Sequence, residues 1–438
     1  MEKLALLGGT PAIQNPPEEL FAWPIVTKED EEAVLHVVRN NRYSYTEITK
    51  KFQEEFAEYM GVEHALAFTN GTQSLEAAMF AIGLGMGDEI ICTTKTYWAS
   101  IVPALNFGAV PVFCNITKNL SMDPDDLERC ITPKTKAIMV VHYFGYPCEM
   151  DKIMAIAKKH GIAVIEDVSH AQGGLYKGKK LGTFGDIAAM SMMSMKSFAA
   201  GELGMIVTPS RKLYERALAF GHYERNNSKY IFESEELMDY QNIAIGGIKG
   251  RANQVCTALA RVQLKYYDER CAEIRRAMNY FWDLLDGVKG LRAIRVDEST
   301  GSNMGGWYCP HGLYIPEELG GLSSKRFAEA MRAEGVEKCY EGGNFCLHNH
   351  KFFKTFDRFG YGKPTRIAFA DRDVREEDEL CRPSELIECV QVPWFKHYEP
   401  EWIEKYADAF KKVINNYEAL LENDTEKASG GRWHGTTN

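Results

Sequence analysis

Lys196 follows the apolar run Ala188–Met192, inside the stretch Ser191-Met-Met-Ser194-Met-Lys196-Ser197-Phe198. A lysine so placed either snorkels to solvent or sits desolvated with a lowered pKa, and the second state is what a Schiff-base lysine requires. Glu166-Asp167-Val168-Ser169-His170 closes the apolar run Ile162–Ile165. Acids at strand ends serve as turn formers, yet Asp167 stands where a carboxylate can reach into a site. Thr69-Asn70-Gly71-Thr72-Gln73-Ser74 joins a strand to a helix. Free N–H groups at such a helix start bind anions, phosphate above all, though an ordinary capped helix reads the same way. Thr96-Tyr97-Trp98 either packs a sheet rim or offers a flat face to a planar ligand. Neither GxxxxGK[ST] nor a GxGxxG after the first strand is present, so this is neither a Walker loop nor a dinucleotide fingerprint.

Each signal alone has a plain structural reading. Together they describe a phosphate cradle, an aromatic face, a carboxylate and a buried lysine. Pyridoxal 5′-phosphate (PLP) needs all four: an imine-forming lysine, an acid for the pyridine nitrogen, an aromatic face and a helix terminus for the phosphate.

The elements that must bring these residues together alternate in type. Strands are expected at Ala65–Thr69, Glu89–Thr93, Val110–Ile116, Ala137–Tyr143, Ala163–Asp167, Ala188–Met192 and Met205–Thr208, with helices at Thr72–Ile82, Ser100–Phe107, Pro124–Cys130 and Met150–His160. This rhythm predicts an α/β fold with a mostly parallel sheet covered on both faces, whose ligands bind beyond the carboxyl ends of the strands. Residues 1–27 read as an extended arm. Helical patterns cover Thr27–Gly61, including a helix at Ile48–Met60. A large domain is expected over 28–265. A long helix, Ala252–Leu285, leads into a smaller α+β domain over 266–424, which ends in the amphipathic helix Glu401–Leu421, with a loose polar tail at 425–438.

Composition narrows the function classes. With 438 residues, 45% hydrophobic and 26% charged, the chain builds a large core without staples. A net charge of −10 without a long basic run argues against nucleic acid as a partner. The longest apolar stretches fall far short of the roughly 20 residues of a membrane span, and MEKLALLGGTP lacks the pattern of a signal peptide. The eleven cysteines form no CxxC pair, which fits a reduced, cytoplasmic setting. Cys346-x-His348-x-His350 matches no common zinc spacing and is read as a polar loop, so no metal site is expected.

The chain resembles the DegT/StrS family of PLP-dependent aminotransferases over about residues 20–420. The matching segments are Thr69-Asn-Gly-Thr72, Gly87-Asp-Glu-Ile90, Asp123-Pro124, Thr132-Pro-Lys-Thr-Lys136, Glu166-Asp-Val-Ser-His-Ala171, Gly182-Thr-Phe-Gly-Asp186, and Lys196 with Gly201-Glu202. The opening Leu4-Ala-Leu-Leu-Gly-Gly-Thr-Pro11 is similar to members that aminate scyllo-inosose with glutamine, and Phe21-Ala-Trp-Pro24 to 3-amino-5-hydroxybenzoate synthases. The resemblance implies the type I, aspartate aminotransferase-like fold. It also implies roles by position. Lys196 forms the Schiff base and Asp167 pairs with the pyridinium nitrogen. Gly71, Thr72 and Ser191 bind the phosphate, Tyr97 stacks on the ring, and His170 lies beside the cofactor. Lys249, in Gly247-Ile-Lys-Gly-Arg251, completes the phosphate site of a neighbouring subunit, so a homodimer is expected. The chain departs from the family pattern at Leu203, at Gln254 and Val255, in an apparent insertion at Lys229–Tyr240 and in the loop Tyr340–His350.

The implied activity moves an amino group from glutamine or glutamate to a keto-sugar or keto-cyclitol through Lys196. Three alternatives stand beside it: a PLP-dependent dehydratase, against which Lys196 itself argues because such relatives carry His there; an enzyme of the 3-amino-5-hydroxybenzoate type; and a non-catalytic PLP-binding sensor.

Overall fold

The structure is a computed structural model and describes residues 2–222, 232–240 and 243–424. Thr27 opens α1 (Lys28–Arg39) with a reciprocal cap: its side chain accepts from the Asp30 N–H, and the Asp30 carboxylate accepts from the Thr27 N–H at 2.8 Å. α2 (Glu47–Met60) stops at Gly61, which takes the left-handed conformation that ends many helices. An alternating series follows: β1 (His64–Phe68), α3 (Gly71–Ala81), β2 (Glu89–Thr93), β3 (Val110–Cys114), α4 (Pro124–Leu127), β4 (Thr135–Val141), α5 (Met150–His160) and β5 (Ala163–Asp167). A hairpin, β6 (Leu175–Tyr176) and β7 (Lys179–Lys180), precedes β8 (Ile187–Ser191), β9 (Gly204–Thr208) and α6 (Arg211–Gly221).

Seven of these strands form one sheet in the order β1-β9-β8-β5-β4-β2-β3. All run parallel except β9, which pairs antiparallel with both β1 and β8. Alternate residues feed opposite faces. Ile138 and Val140 of β4, with Met205 and Val207 of β9, enter one core; Ala137, Met139 and Val141, with Ile206, enter the other. Burial on both faces is why these strands read as unbroken apolar runs.

α7 (Gln254–Lys265) and α8 (Tyr267–Leu284) lead out of this layer. A second, antiparallel sheet of β10 (Leu291–Ala293), β11 (His311–Tyr314) and β12 (Cys389–Gln391) shares a third core with α8, α9 (Ser324–Ala333) and α12 (Pro400–Asn415). Between α9 and β12, the segment 344–388 contains only the short helices α10 (Lys351–Lys354) and α11 (Arg382–Glu385), an eight-residue 3₁₀ stretch at Val374–Cys381 and shorter 3₁₀ turns. It lies along β3: the Arg366 guanidinium donates to the Pro111 carbonyl at 2.9 Å and pairs with Asp378, and the Ser384 hydroxyl accepts from the Ile116 N–H at 3.0 Å. α13 (Glu418–Leu421) ends the described chain. Among the described residues no helix is long and apolar enough to cross a membrane.

The expected strands lie within two residues of those found, and Met150–His160 is found as expected. Four helices differ, the first being Pro124–Cys130, which is α-helical only over Pro124–Leu127 and tightens to a 3₁₀ turn at Glu128–Cys130. The long helix Ala252–Leu285 breaks at Tyr266, whose φ of −108° and ψ of 1° leave the helical region; α7 packs on α1 and α2 while α8 packs on α12, so each half follows its own partner. Ser100–Phe107 winds as 3₁₀ turns around Pro103. Glu401–Leu421 divides into α12 and α13. Of the insertion at Lys229–Tyr240, residues 232–240 are described, tied back where the Glu215 carboxylate accepts from the Glu233 and Ser234 N–H groups at 3.0 and 2.8 Å. The tail 425–438 lies outside the described residues.

Candidate active site

The carboxyl ends of β1, β2, β4, β5 and β8 open into one cavity of about 520 Å³. Its walls include Gly71, Thr72, Tyr97, Asp167, His170, Ser191 and Lys196. Seven of the eight residues expected to handle the cofactor are thus brought together. Lys249 is the exception, being exposed and away from the cavity of its own chain. It sits on a segment held against the turn after β1, where the Gly250 carbonyl accepts from the Thr69 N–H at 2.9 Å and Arg251 bridges to Phe68.

That turn forms the anion cradle. Asn70 caps α3, its side-chain oxygen accepting from the Gln73 N–H at 2.9 Å, so the first N–H groups of the helix face the cavity mouth. Gly71 packs directly on the end of β8: a Cβ there would lie 2.5 Å from the Ser191 Cβ. Only glycine lets the helix start approach the end of β8 at Ser191 so closely.

Asp167 is the last residue of β5 and is 4% exposed. Its carboxylate accepts from the Ser100 hydroxyl at 2.7 Å and from the Ser169 N–H at 3.0 Å. Ser169 in turn accepts from the Ser191 N–H at 2.9 Å, which ties the ends of β5 and β8 together. Glu166 points to the opposite face, where it accepts from the N–H groups of Gly182, Phe184 and Gly185 at 2.7–2.8 Å and meets His142 at 3.1 Å. Of two adjacent acids, one braces a turn and one faces the cavity.

Lys196 is 8% exposed, on a tight turn closed by its own N–H to the Met193 carbonyl at 2.8 Å. Burial pulls its ammonium down to about 8, against the opposing pull of the Asp167 carboxylate. Its Nζ lies 4.3 Å from the centre of the Tyr308 ring, and the Trp23 indole donates to its carbonyl at 2.9 Å. His170 is buried beside it. Its Nδ1 accepts from the Phe144 N–H at 3.2 Å and its ring lies 4.4 Å from Tyr308. Burial first, then the neighbouring Lys196 charge, holds it well below the ordinary imidazole range, so it stands neutral. Tyr97, at 41% exposure, stands at the rim beside Trp98.

Several cavity residues were not singled out in the sequence. Ser100 and Ser169 are the partners of Asp167, and Tyr308, Cys309, His311, Gly343 and Asn344 arrive from far along the chain. The approach of Tyr308 leaves one trace, the preceding Gly305-Gly306: a Cβ on Gly306 would lie 2.4 Å from the Ser197 Cβ. In the Cys346–His350 loop the side chains do not converge. His348 bonds Glu385 at 2.8 Å and the Thr94 hydroxyl, while His350 accepts from the Phe352 N–H at 3.1 Å.

The chain resembles known proteins along most of its length. The family model described as the DegT/DnrJ/EryC1/StrS aminotransferase family matches residues 24–358. A putative L-glutamine:3-amino-2,3-dideoxy-scyllo-inosose aminotransferase of Micromonospora echinospora is 29% identical over 96% of this chain and 99% of its own. GDP-perosamine synthase of Escherichia coli O157:H7 is 38% identical over 50% of this chain and 58% of its own. The crystal structure of 3-amino-5-hydroxybenzoic acid synthase shares the fold, with a TM-score of 0.75 at 23% identity, covering 93% of this chain and all of that one.

Proposed function

The chain belongs to the DegT/DnrJ/EryC1/StrS aminotransferase family, and from that premise we propose that it uses PLP, attached through Lys196 Nζ, to carry an amino group from glutamine or glutamate to a keto-cyclitol or keto-sugar. One observation carries the reading: a buried amine, a buried carboxylate and a helix N-terminus line the same cavity.

The residues fit the group. The N–H groups at the start of α3, with the Thr72 and Ser191 hydroxyls, suit its phosphate. The Asp167 carboxylate, oriented by Ser100 and Ser169, would hold a proton on the ring nitrogen. His170 and Tyr97, which line the same cavity, would face the ring. When bound, PLP withdraws electrons from the substrate carbon that gives up or receives the amino group. Lys196 serves as attachment point and as acid–base group. With its pKa near 8 the amine is part neutral at physiological pH, so Nζ takes a proton from the donor's α-carbon and later delivers one to the acceptor carbon. The Tyr308 ring provides a face on which the Lys196 ammonium would rest when it is not attached to the cofactor.

A glutamine donor and a cyclitol acceptor are supported by the relative that matches end to end, a named glutamine:inosose aminotransferase. The nucleotide-sugar relative matches only half of the chain. The same proposal includes a homodimer in which Lys249 reaches the neighbouring subunit's phosphate site, which its exposed place beside the α3 turn supports. It divides the chain into an arm over 1–27, a cofactor-binding domain over 28–265 and a smaller domain over 266–424, and the two separate sheets support that division. A cytoplasmic location is part of it, supported by eleven cysteines that all stand as free thiols, as is a place in aminocyclitol or amino-sugar synthesis, antibiotic synthesis included.

The test is the visible spectrum of the PLP-loaded protein before and after L-glutamine is added without a ketone. A yellow band that bleaches supports cofactor, attachment and donor together. A band indifferent to glutamine but bleached by glutamate changes the donor. A protein that takes up no PLP overturns the reading.

A further inference from the structure

Two tryptophans stand behind the reactive lysine, and each reaches its neighbour through the same atom. The Trp23 indole N–H donates to the Lys196 carbonyl at 2.9 Å. The Trp394 indole N–H donates to the Gly306 carbonyl at 3.0 Å, two residues before Tyr308. The rings lie 6.4 Å apart, and Trp394 also meets Tyr308 edge-on at 5.6 Å. One tryptophan thus holds the main chain of Lys196, and the other holds the strand of residues that carries the ring beneath its amine.

Both are anchored in the core around the three-stranded sheet. Phe21 stacks on Phe395 at 5.6 Å and meets Tyr406 edge-on at 5.6 Å, while the Leu20 carbonyl accepts from the Lys396 N–H at 3.1 Å. Between the two indoles sits Lys396, 3% exposed, its Nζ 4.6 Å from the Trp23 ring centre and also over the Trp394 ring, with no hydrogen-bond partner among the described residues. Burial holds that amine well below the ordinary lysine range, and its place between the two rings sets their spacing. The segment that meets them is itself constrained. Trp307 and Cys309 hold φ of 53° and 50°, and a Cβ on Gly305 would lie 2.2 Å from the Gln172 carbonyl oxygen. Backbone held this way persists only when its surroundings over-determine it.

We propose that Trp23 and Trp394 are positioning residues that fix Lys196 from two sides, so that the N-terminal arm and the C-terminal core set the aim of the amine. The proposal rests on reading Lys196 as the reactive amine. It gives the arm a part in the reaction, since residues 18–24 are the means by which one side of the yoke is held.

The experiment compares wild type, Trp23→Phe and Trp394→Phe, each loaded with PLP, by hydrogen–deuterium exchange and by steady-state kinetics. Both substitutions keep an aromatic ring but remove the N–H together with part of the indole, so a rise in exchange spread through the surrounding core reports lost packing and only a rise confined to the named segment reports the lost hydrogen bond. Trp23→Phe is expected to raise exchange in 193–200 about tenfold, the effect of one lost hydrogen bond, and to lower kcat by a similar factor with the KM for the amino donor unchanged. Trp394→Phe, which loosens the Tyr308 ring facing the amine rather than the Lys196 main chain, is expected to raise exchange in 302–309, to leave 193–200 at the wild-type rate and to lower kcat with the KM for the amino donor unchanged. Unchanged local exchange, or a rise spread evenly over the protein, overturns the proposal. So does faster local exchange with wild-type kcat. A wild-type protein that binds no PLP overturns the reading of Lys196 itself, an outcome distinct from an unmoved exchange pattern in a protein that does bind it.

Discussion

Ser100 donates its hydroxyl hydrogen bond to the Asp167 carboxylate at 2.7 Å, joining the turn after β2 to the end of β5 across the intervening β4. A buried carboxylate that must hold a proton on a partner has to be fixed in direction as well as in charge, and Ser100 supplies the direction. Ser100→Ala removes a hydrogen bond to a charged group, worth about 1.5–3 kcal/mol. PLP affinity is expected to fall about tenfold or more by equilibrium titration, with the melting temperature within a few degrees of wild type. Unchanged affinity would show that Ser169 alone orients the acid.

Lys196→Ala is expected to reduce kcat by about 10³ or more, since it deletes both attachment and proton transfer. PLP then remains dialysable, and reduction with borohydride no longer fixes label to the chain. Turnover near the wild-type level would sink the assignment.

The pH dependence follows from the Lys196 amine. Burial lowers it from 10.5 to about 8. Capture of PLP by the apoprotein requires the neutral amine, so its rate rises with pH and levels off above about 8. The same shift has a stability signature. Between about 8 and 10.5 the unfolded chain binds a proton that the native chain does not, so apoprotein stability rises with pH in that window. Urea unfolding of the apoprotein against Lys196→Met isolates that slope. A capture rate still climbing at pH 10 would contradict the desolvated state.

Gly71→Ala places a methyl group 2.5 Å from the Ser191 Cβ. The first turn of α3 must lift from β8, at a cost of about 1–3 kcal/mol. Titration with inorganic phosphate and with PLP is expected to show weaker binding of both, and the melting temperature falls.

Lys249 is testable by complementation. Lys196→Ala and Lys249→Glu chains, each impaired alone, are mixed under conditions that exchange subunits. If Lys249 serves its neighbour, mixed dimers carry one intact site and activity returns to about a quarter of wild type. If it serves its own chain, mixing restores nothing.

The layered sheet was legible because each strand is a short, doubly buried apolar run with a polar turn after it, and the chemistry sits in those turns. Asp167 and Lys196 could be read for that reason: each follows its strand within a few residues, and a parallel sheet sends all such ends to one edge. Residues brought by packing left fainter marks. Tyr308, His311 and Asn344 meet the cavity from more than a hundred residues beyond Lys196, and only the Gly305-Gly306 pair hints that this backbone passes close to another. Ser100 is a small polar residue among others, and nothing local separates it from a loop serine. The break at Tyr266 was hidden because helical periodicity continues across it, and the separate partners of α7 and α8 decide it.

The segment 344–388 has a consequence for the protein's solubility. β3 is the outermost strand of the seven-stranded sheet, an edge that invites pairing with strands of other chains. Here Pro111 withholds one N–H, Arg366 covers the Pro111 carbonyl, and the Arg129 guanidinium and the Cys130 and Cys381 thiols crowd the Phe113 carbonyl at 3.4–3.5 Å. The segment that walls the cavity at Asn344 therefore also blunts this edge. A chain that lost it would uncover a ready template for aggregation before it lost its reactive lysine.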